Sequence, residues 1–362
     1  MPETGHRRNN FDTLRLIAAL SVLFSHSFLI AEGTEEREPF VWLSGHQCVL
    51  GLVGVFVFFV ISGYLVTASW CRTPAPFGFT LRRFLRIFPG LAVNTLICGL
   101  VIGPLLTALP LSQYVTSDKL ATYLRQTLTL TPVAPPLPGV LFADNTVGLV
   151  VNGSLWTLRY EIMMYLMIVI LGVLRLLRLS TCIVLVGVGL AAVYFEKHLA
   201  PFGDIGEWAW LVGFFAAGMC LYFLRDRIVF DWRGALLALA ALAFFVWIHR
   251  FIMLFPLAGA YLAIWFARRY DPAIDYARYT GDLSYGIYIW GWPIEQCVMH
   301  ASGGTATWWQ VWLGATAIVL PIAWLSWHLV EKIALRWGHR MTEPRQAPPL
   351  PPQPAPLPLI DG

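Results

Sequence analysis

Three ionisable side chains stand in one apolar stretch near the start of the chain. Residues 10–29 read NFDTLRLIAALSVLFSHSFL, with Asp12, Arg15 and His26 among residues otherwise suited to lipid. On an α-helix turning about 100° per residue, Arg15 and His26 fall within about 20° of each other. Asp12 lies one turn before Arg15 on the same side. The helix therefore carries a single polar stripe, with His26 about 16 Å along the axis from Arg15, near mid-bilayer. An ionisable group at that depth is costly unless it faces other helices or water, so the stripe marks a functional site. Asp12 and Arg15 would also serve as anchors that reach to the headgroups. His26 has no such second use. An imidazole titrates near neutrality, so it can take a proton from a hydroxyl or itself carry a transferred group.

The rest of the chain must supply helices to hold that stripe. Of 362 residues, 57% are hydrophobic and only 13% charged, about half the charge of a soluble protein. Ten apolar stretches approach the length of a membrane span, at about 13–31, 47–69, 90–109, 154–176, 180–196, 207–224, 234–249, 251–267, 283–300 and 309–330. Lipid cannot satisfy backbone polar groups, so the expected fold is all-α, a polytopic domain of ten transmembrane helices. With both termini cytoplasmic, eighteen Lys and Arg fall on the inner side and five on the outer, in keeping with the positive-inside rule. The net charge of +4 is then a matter of topology and not of nucleic-acid binding. The first apolar run is too long for a signal peptide and has no small-residue cleavage site after it, so it is read as the first span. Residues 1–340 form the membrane domain, and 341–362 a Pro-rich, disordered cytoplasmic tail. The six cysteines are scattered, without the paired spacing of a zinc or redox site, and no metal is expected.

Further polar residues recur at the ends of these spans. Gly51, Gly54 and Gly63 in the second would let helices approach closely, with Ser62 and Gly63 permitting a tight crossing or a local helix adjustment beside the first helix. Arg82, Arg83 and Arg86 follow within one turn, in FTLRRFLRIFP. That pattern suits anionic lipid or, because Arg grips phosphate with two N–H groups, a phosphate-bearing ligand. Residues 110–151 form a long outer connection, with a short surface helix expected over 117–130 and an acceptor-facing lid as one use for it. Residues 32–38 are expected to be a solvated acidic loop. The fourth span opens with Trp156, Arg159 and Glu161; the last two lie on different faces, as suits an interhelical ion pair or a site wall. In the ninth, Ser284, Tyr285, Tyr288 and Trp292 form a stripe, and Pro293 must free one backbone carbonyl. His328 and Glu331 share a face at the end of the tenth.

These motifs, in this order, resemble the membrane-bound acyltransferase 3 family over residues of roughly 10–340. The likeness rests on Arg15 and His26 separated by ten residues, on Phe-Phe-Val-Ile-Ser-Gly-Tyr-Leu at 58–65, on the basic run after the second span, on Ser154-Leu-Trp with Glu161, and on Ser284-Tyr with Tyr288. Two departures stand out. Gly291 occupies a position two before Pro293 where many members carry His, and Ile333 follows Val330-Glu331 where Pro is common, so that helix need not stop.

The resemblance implies a multi-pass inner-membrane O-acyltransferase, moving an acetyl or other short acyl group from acyl-coenzyme A to a hydroxyl of a surface or exported carbohydrate. Acetyl-coenzyme A would be a co-substrate, with no permanently bound cofactor. It further implies His26, Asp12 and Arg15 as catalytic, Arg82, Arg83 and Arg86 as donor-binding, and Ser62, Trp156, Arg159, Glu161, Tyr288 and Glu331 as walls of the acceptor site. A different class, a transporter or flippase of a lipid-linked saccharide, would also place polar groups inside spans. The absence of inverted repeats and of paired broken helices speaks against it.

Overall fold

The computed structural model describes residues 9–131, 136–139, 142, 145–195 and 204–342. Among these residues every regular element is a helix, and each of the ten apolar stretches becomes one. They are α1 (Phe11–Glu32), α2 (Leu50–Arg72), α3 (Pro76–Ile97), α5 (Trp156–Val173), α6 (Leu179–Tyr194), α7 (Asp204–Phe223), α8 (Trp232–Trp247), α9 (Ala260–Arg268), α10 (Ser284–Ala301) and α11 (Trp308–Ser326). Between α3 and α5 lies α4 (Asp118–Leu128), a surface helix whose Ser117 side chain accepts from the Lys119 N–H. Six of the helices, counted with their extensions, are long and apolar enough to cross a membrane, and three more are shorter apolar helices. The protein is a multi-pass, all-helical membrane protein.

Two helices outrun their hydrophobic stretches, and π-turns interrupt three. α3 begins at Pro76 and passes through Pro89, so the Arg82–Arg83–Arg86 run forms its first turns and not a separate surface helix. A π-turn over Cys98–Ile102 carries it on to Leu106. A similar π-turn over Phe255–Gly259 leads into α9. A third, Trp327–Glu331, joins α11 to α12 (Lys332–Thr342). With Ile333 where Pro would end it, the helix does not stop.

At the centre α1 packs on α2, α10 and α11, while α7 lies between α2 and α6. Close approach needs glycine at two crossings. A Cβ on Gly54 would stand 2.6 Å from the Ala18 carbonyl oxygen of α1, and one on Gly63 only 1.9 Å from the Phe215 oxygen of α7. Gly63 thus makes its tight crossing with α7, not with the first helix as its place beside Ser62 suggests.

The acidic loop after α1 is not simply solvated. Glu38 is fully buried, and both its oxygens accept from the Leu50 N–H at 3.1 Å. Ser25 on α1 donates to Glu38 at 3.2 Å and accepts from the Gly51 N–H at 2.7 Å. One carboxylate therefore closes the unsatisfied N-terminus of α2 and ties it to the residue preceding His26. Burial, followed by repulsion from Glu38, pushes the neighbouring Glu35 carboxyl up to about 7.

Gly63→Ala is expected to destabilise the protein by about 1–3 kcal/mol through overpacking, seen as a lower melting temperature in detergent. A raised carboxyl favours the folded loop at low pH, and that contribution fades as pH climbs through about 7. Amide exchange over residues 33–50 should therefore be slower at pH 5.5 than at pH 8, beyond the intrinsic pH effect. Glu35→Gln should remove that excess; an unaltered excess would contradict the assignment.

Candidate functional site

His26 projects from α1 towards α10. Its ring meets Trp292 edge to face, with centroids 4.8 Å apart. Its Nδ1 lies 4.0 Å from Oε2 of Glu295, a residue with no exposed surface, while the His26 side chain keeps 15% of its own. Among the described residues no donor hydrogen-bonds either Glu295 oxygen. A buried carboxyl without donors carries a penalty, and the polar side chain that faces it is the imidazole. The two side chains face one another at 4.0 Å without a hydrogen bond between them.

What aims Glu295 is a defect in its own helix. Pro293 has no N–H to offer the carbonyl four residues back, that of Ile289. That oxygen accepts from Asn94 Nδ2 of α3 at 3.0 Å and Asn152 Nδ2 at 2.8 Å. Asn152 also donates to the Asn94 side chain and accepts from the Ser154 N–H. The outer loop is stitched to α10 again where Asn145 Nδ2 donates to the Gln296 side-chain oxygen at 2.7 Å and Gln296 donates to the Val147 carbonyl at 2.8 Å. The Trp292 indole donates to the Val150 carbonyl at 3.0 Å. Gly153 lies flat against that indole, where a Cβ would come within 2.8 Å. Trp292 and Gln296 are fixed in this way on either side of Glu295.

At the arginine-rich end the helices enclose a cavity of about 610 Å³ lined by Asp12, Arg15, Arg72, Arg82, Arg83, Arg86 and Asp282. Arg15 stands 3.5 Å from Asp12 and 3.7 Å from Asp282. Arg86 bonds Asp282 directly and stands 3.9 Å from Glu331, whose carboxylate accepts from Ser326 at 2.9 Å. A narrower space of about 80 Å³ continues inward from Arg15, Arg83 and Arg86 past Ser62 and Glu161 to Thr157 and Tyr288. There Glu161 accepts from Tyr165 and from Ser62 at 3.4 Å, and the hydroxyls of Thr157 and Tyr288 bond at 2.5 Å. Trp292, beside His26, lies one helical turn beyond Tyr288. A separate cavity of about 250 Å³ towards the other end is lined by Asn152, Gly153, Trp156 and Arg159. Arg159 donates to the Tyr160 hydroxyl at 2.7 Å and stacks over its ring.

The structure divides the stripe expected on α1. Asp12 and Arg15 line the large cavity, Arg15 about 16 Å along α1 from His26, and the carboxyl that faces His26 is that of Glu295. Ser62, Glu161 and Tyr288 do line one space with Arg15. Trp156 and Arg159 line the other. Glu331 is no exposed helix end: it is 1% exposed and backs Arg86. Arg159 and Glu161 take separate partners instead of pairing. Sequence reasoning passed over Asp282 and Glu295. The argument applied to His26, an ionisable group within a span, would have found Glu295. Gly291, where relatives of the resembled family carry His, fits closely: a Cβ there would lie 2.9 Å from Leu23.

Residues 8–328 match the family model described as an acyltransferase domain. The chain is 28% identical over 335 residues to an "O-acetyl transferase" of Shigella phage Sf6, covering 90% of this chain and 96% of the relative. It is likewise 28% identical over 365 residues to "Nodulation protein 10" of Rhizobium leguminosarum bv. viciae, covering 92% and 94%. No solved structure matches.

Glu295→Gln keeps the shape of the side chain and removes its charge. Turnover is expected to fall about 100-fold, within the range of a lost acid–base partner, at unchanged membrane yield. Turnover within threefold of wild type would make Glu295 a packing residue.

Proposed function

The chain belongs to the acyltransferase 3 family, and on that premise we propose that it O-acetylates a carbohydrate. The acetyl or other short acyl group comes from acyl-coenzyme A on the cytoplasmic side of the inner membrane and passes to a hydroxyl of a surface or exported saccharide. The observation that carries this reading is the arginine-lined cavity with a narrow space continuing from it to Tyr288, one helical turn from the Trp292 that packs on His26. A phosphate-bearing head suits the arginine-lined cavity, and a slender acyl-bearing arm suits the narrow space leading towards Tyr288 and His26. The cavity beside Trp156 and Arg159 suits the acceptor, since a sugar stacks on an indole and bonds to a guanidinium. The name of one relative, O-acetyl transferase, agrees with acetyl transfer to an oxygen. The excess of Lys and Arg on one side supports the cytoplasmic assignment.

In this reading His26 acts as general base. It takes the proton of the acceptor hydroxyl as that oxygen attacks the thioester carbonyl. The carbon–sulfur bond breaks, the thiolate leaves, and the proton on His26 passes to it, so that free coenzyme A and the ester are the products. Glu295 stabilises the imidazolium formed between those two transfers. Arg15, with Asp12 and Asp282, holds the donor end of the path.

The second route open to a histidine, a covalent acyl-imidazole, gives a different result on rapid quench. Incubation with labelled acetyl-coenzyme A and no acceptor should leave wild-type protein unlabelled, and His26→Ala should lose transfer about 100-fold or more at matched membrane insertion. A labelled His26 would replace direct transfer by the two-step route. Undiminished transfer by His26→Ala would remove the histidine from the chemistry altogether.

A further inference from the structure

The arginines of the large cavity are not equivalent. Arg86 is matched by Asp282 and Glu331, and Arg15 by Asp12 and Asp282. Their positive charge is largely spent within the protein. Arg83 stacks against Phe79 and Tyr165 on the inner wall. Arg72 and Arg82 differ from all of these. They line the same cavity, lie close enough to repel one another, and among the described residues no carboxylate pairs with either.

Two cations held together without a counter-charge cost free energy that an anion would recover. What holds Arg82 there is the end of the chain. Its Nη1 donates to the Thr342 hydroxyl at 2.8 Å. That hydroxyl donates to the Gly338 carbonyl at 2.9 Å, which turns its lone pairs towards the guanidinium. Helix α12 approaches closely enough for this because Gly338 lies against Leu85, where a Cβ would come within 2.8 Å, and Gly78 lies beneath Thr342. Leu335, His339 and Thr342 form the wall of the cavity on that side. All of α12 lies beyond the stretch matched by the family model, which ends at residue 328.

We propose that Arg72 and Arg82 bind the 3′-phosphate of the coenzyme A donor, and that Thr342 of the C-terminal helix is the positioning residue for Arg82. The proposal rests on the coenzyme A reading above and assigns a subsite within it. A phosphomonoester carries nearly two charges near neutrality, which these two guanidiniums match. Arg86 has no such part: its role is to fasten α3 to α10 and to the Glu331 turn.

The test compares acetyl-coenzyme A with 3′-dephospho-acetyl-coenzyme A as donors to wild-type membranes. Loss of a charge-assisted contact should raise KM about tenfold or more for the dephospho donor, with kcat within twofold. Equal KM values with active transfer overturn the subsite and leave the coenzyme A reading standing. If neither thioester supports transfer while the acceptor is still acylated in cells, the coenzyme A reading itself falls, and this subsite with it. Thr342→Ala should raise KM for acetyl-coenzyme A about three- to tenfold and leave that for the dephospho donor unchanged, while Thr342→Ser restores the wild-type ratio. A rise shared equally by both donors would mark Thr342 as a merely structural contact and overturn its positioning role. Should Thr342→Ala fail to insert, Arg72→Gln decides the subsite by the same ratio, which must shrink towards one.

Discussion

Lipid offers a peptide carbonyl nothing to bond with, and Pro293 releases one in the middle of α10. The protein answers with two asparagines, Asn94 from α3 and Asn152 from the outer loop, both donating to the Ile289 oxygen. That repair fixes much of what surrounds the site. It seats the loop over residues 145–153 on α10, brings Gly153 against Trp292, and so sets the indole against the His26 ring. Two residues beyond the proline, Glu295 faces the same imidazole with no hydrogen-bond donor of its own among the described residues. A kink that costs α10 one hydrogen bond thus becomes the reason a carboxylate and a histidine meet inside a membrane domain. About 100° round α1 from His26, Ser25 and Glu38 hold the same turn from the outer loop.

Charge is arranged along the path by the same economy. Each cation that lies deep in the large cavity finds a carboxylate or an aromatic face, since an unmatched charge there would be expelled or neutralised. Only towards Arg72 and Arg82 does arginine charge stand with neither a carboxylate nor an aromatic face among the described residues, and there an incoming anion can supply the balance. The narrow space between this end and Tyr288 is walled by hydroxyls already bonded to each other and to Glu161. Few groups compete there for a passing ligand.

Much of this was legible in the sequence. The ten helices follow from apolar length alone, and Gly54 signals the close crossing that α1 makes with α2. The polar stripe of α1 is legible because helical phase places Arg15 and His26 on one side. The stripe could not say that its two ends serve different spaces. That depends on α3 and on the segment around α10, whose contacts with α1 span more than two hundred residues of chain. Gly63 gave the right interaction with the wrong neighbour, since a glycine declares close approach but not the helix approached. Glu38 lay within a run of acidic residues that reads as solvated; only its position opposite the N-terminus of α2 makes it a cap. Glu295 was overlooked among aromatic residues that drew the eye to packing, although its charge within a span was a sufficient signal. Thr342 had no signal at all, because its value lies in an arginine 260 positions away.

The central claim is that His26 and Glu295 act as one unit in acyl transfer. A double-mutant cycle measures this most directly, with His26→Gln, Glu295→Gln and the double variant compared for transfer rate at matched membrane yield. The account predicts that each single substitution removes most of the rate and that the second then costs almost nothing, as for residues that act as a unit. Losses that multiply in the double variant would show two independent residues, and would contradict the claim.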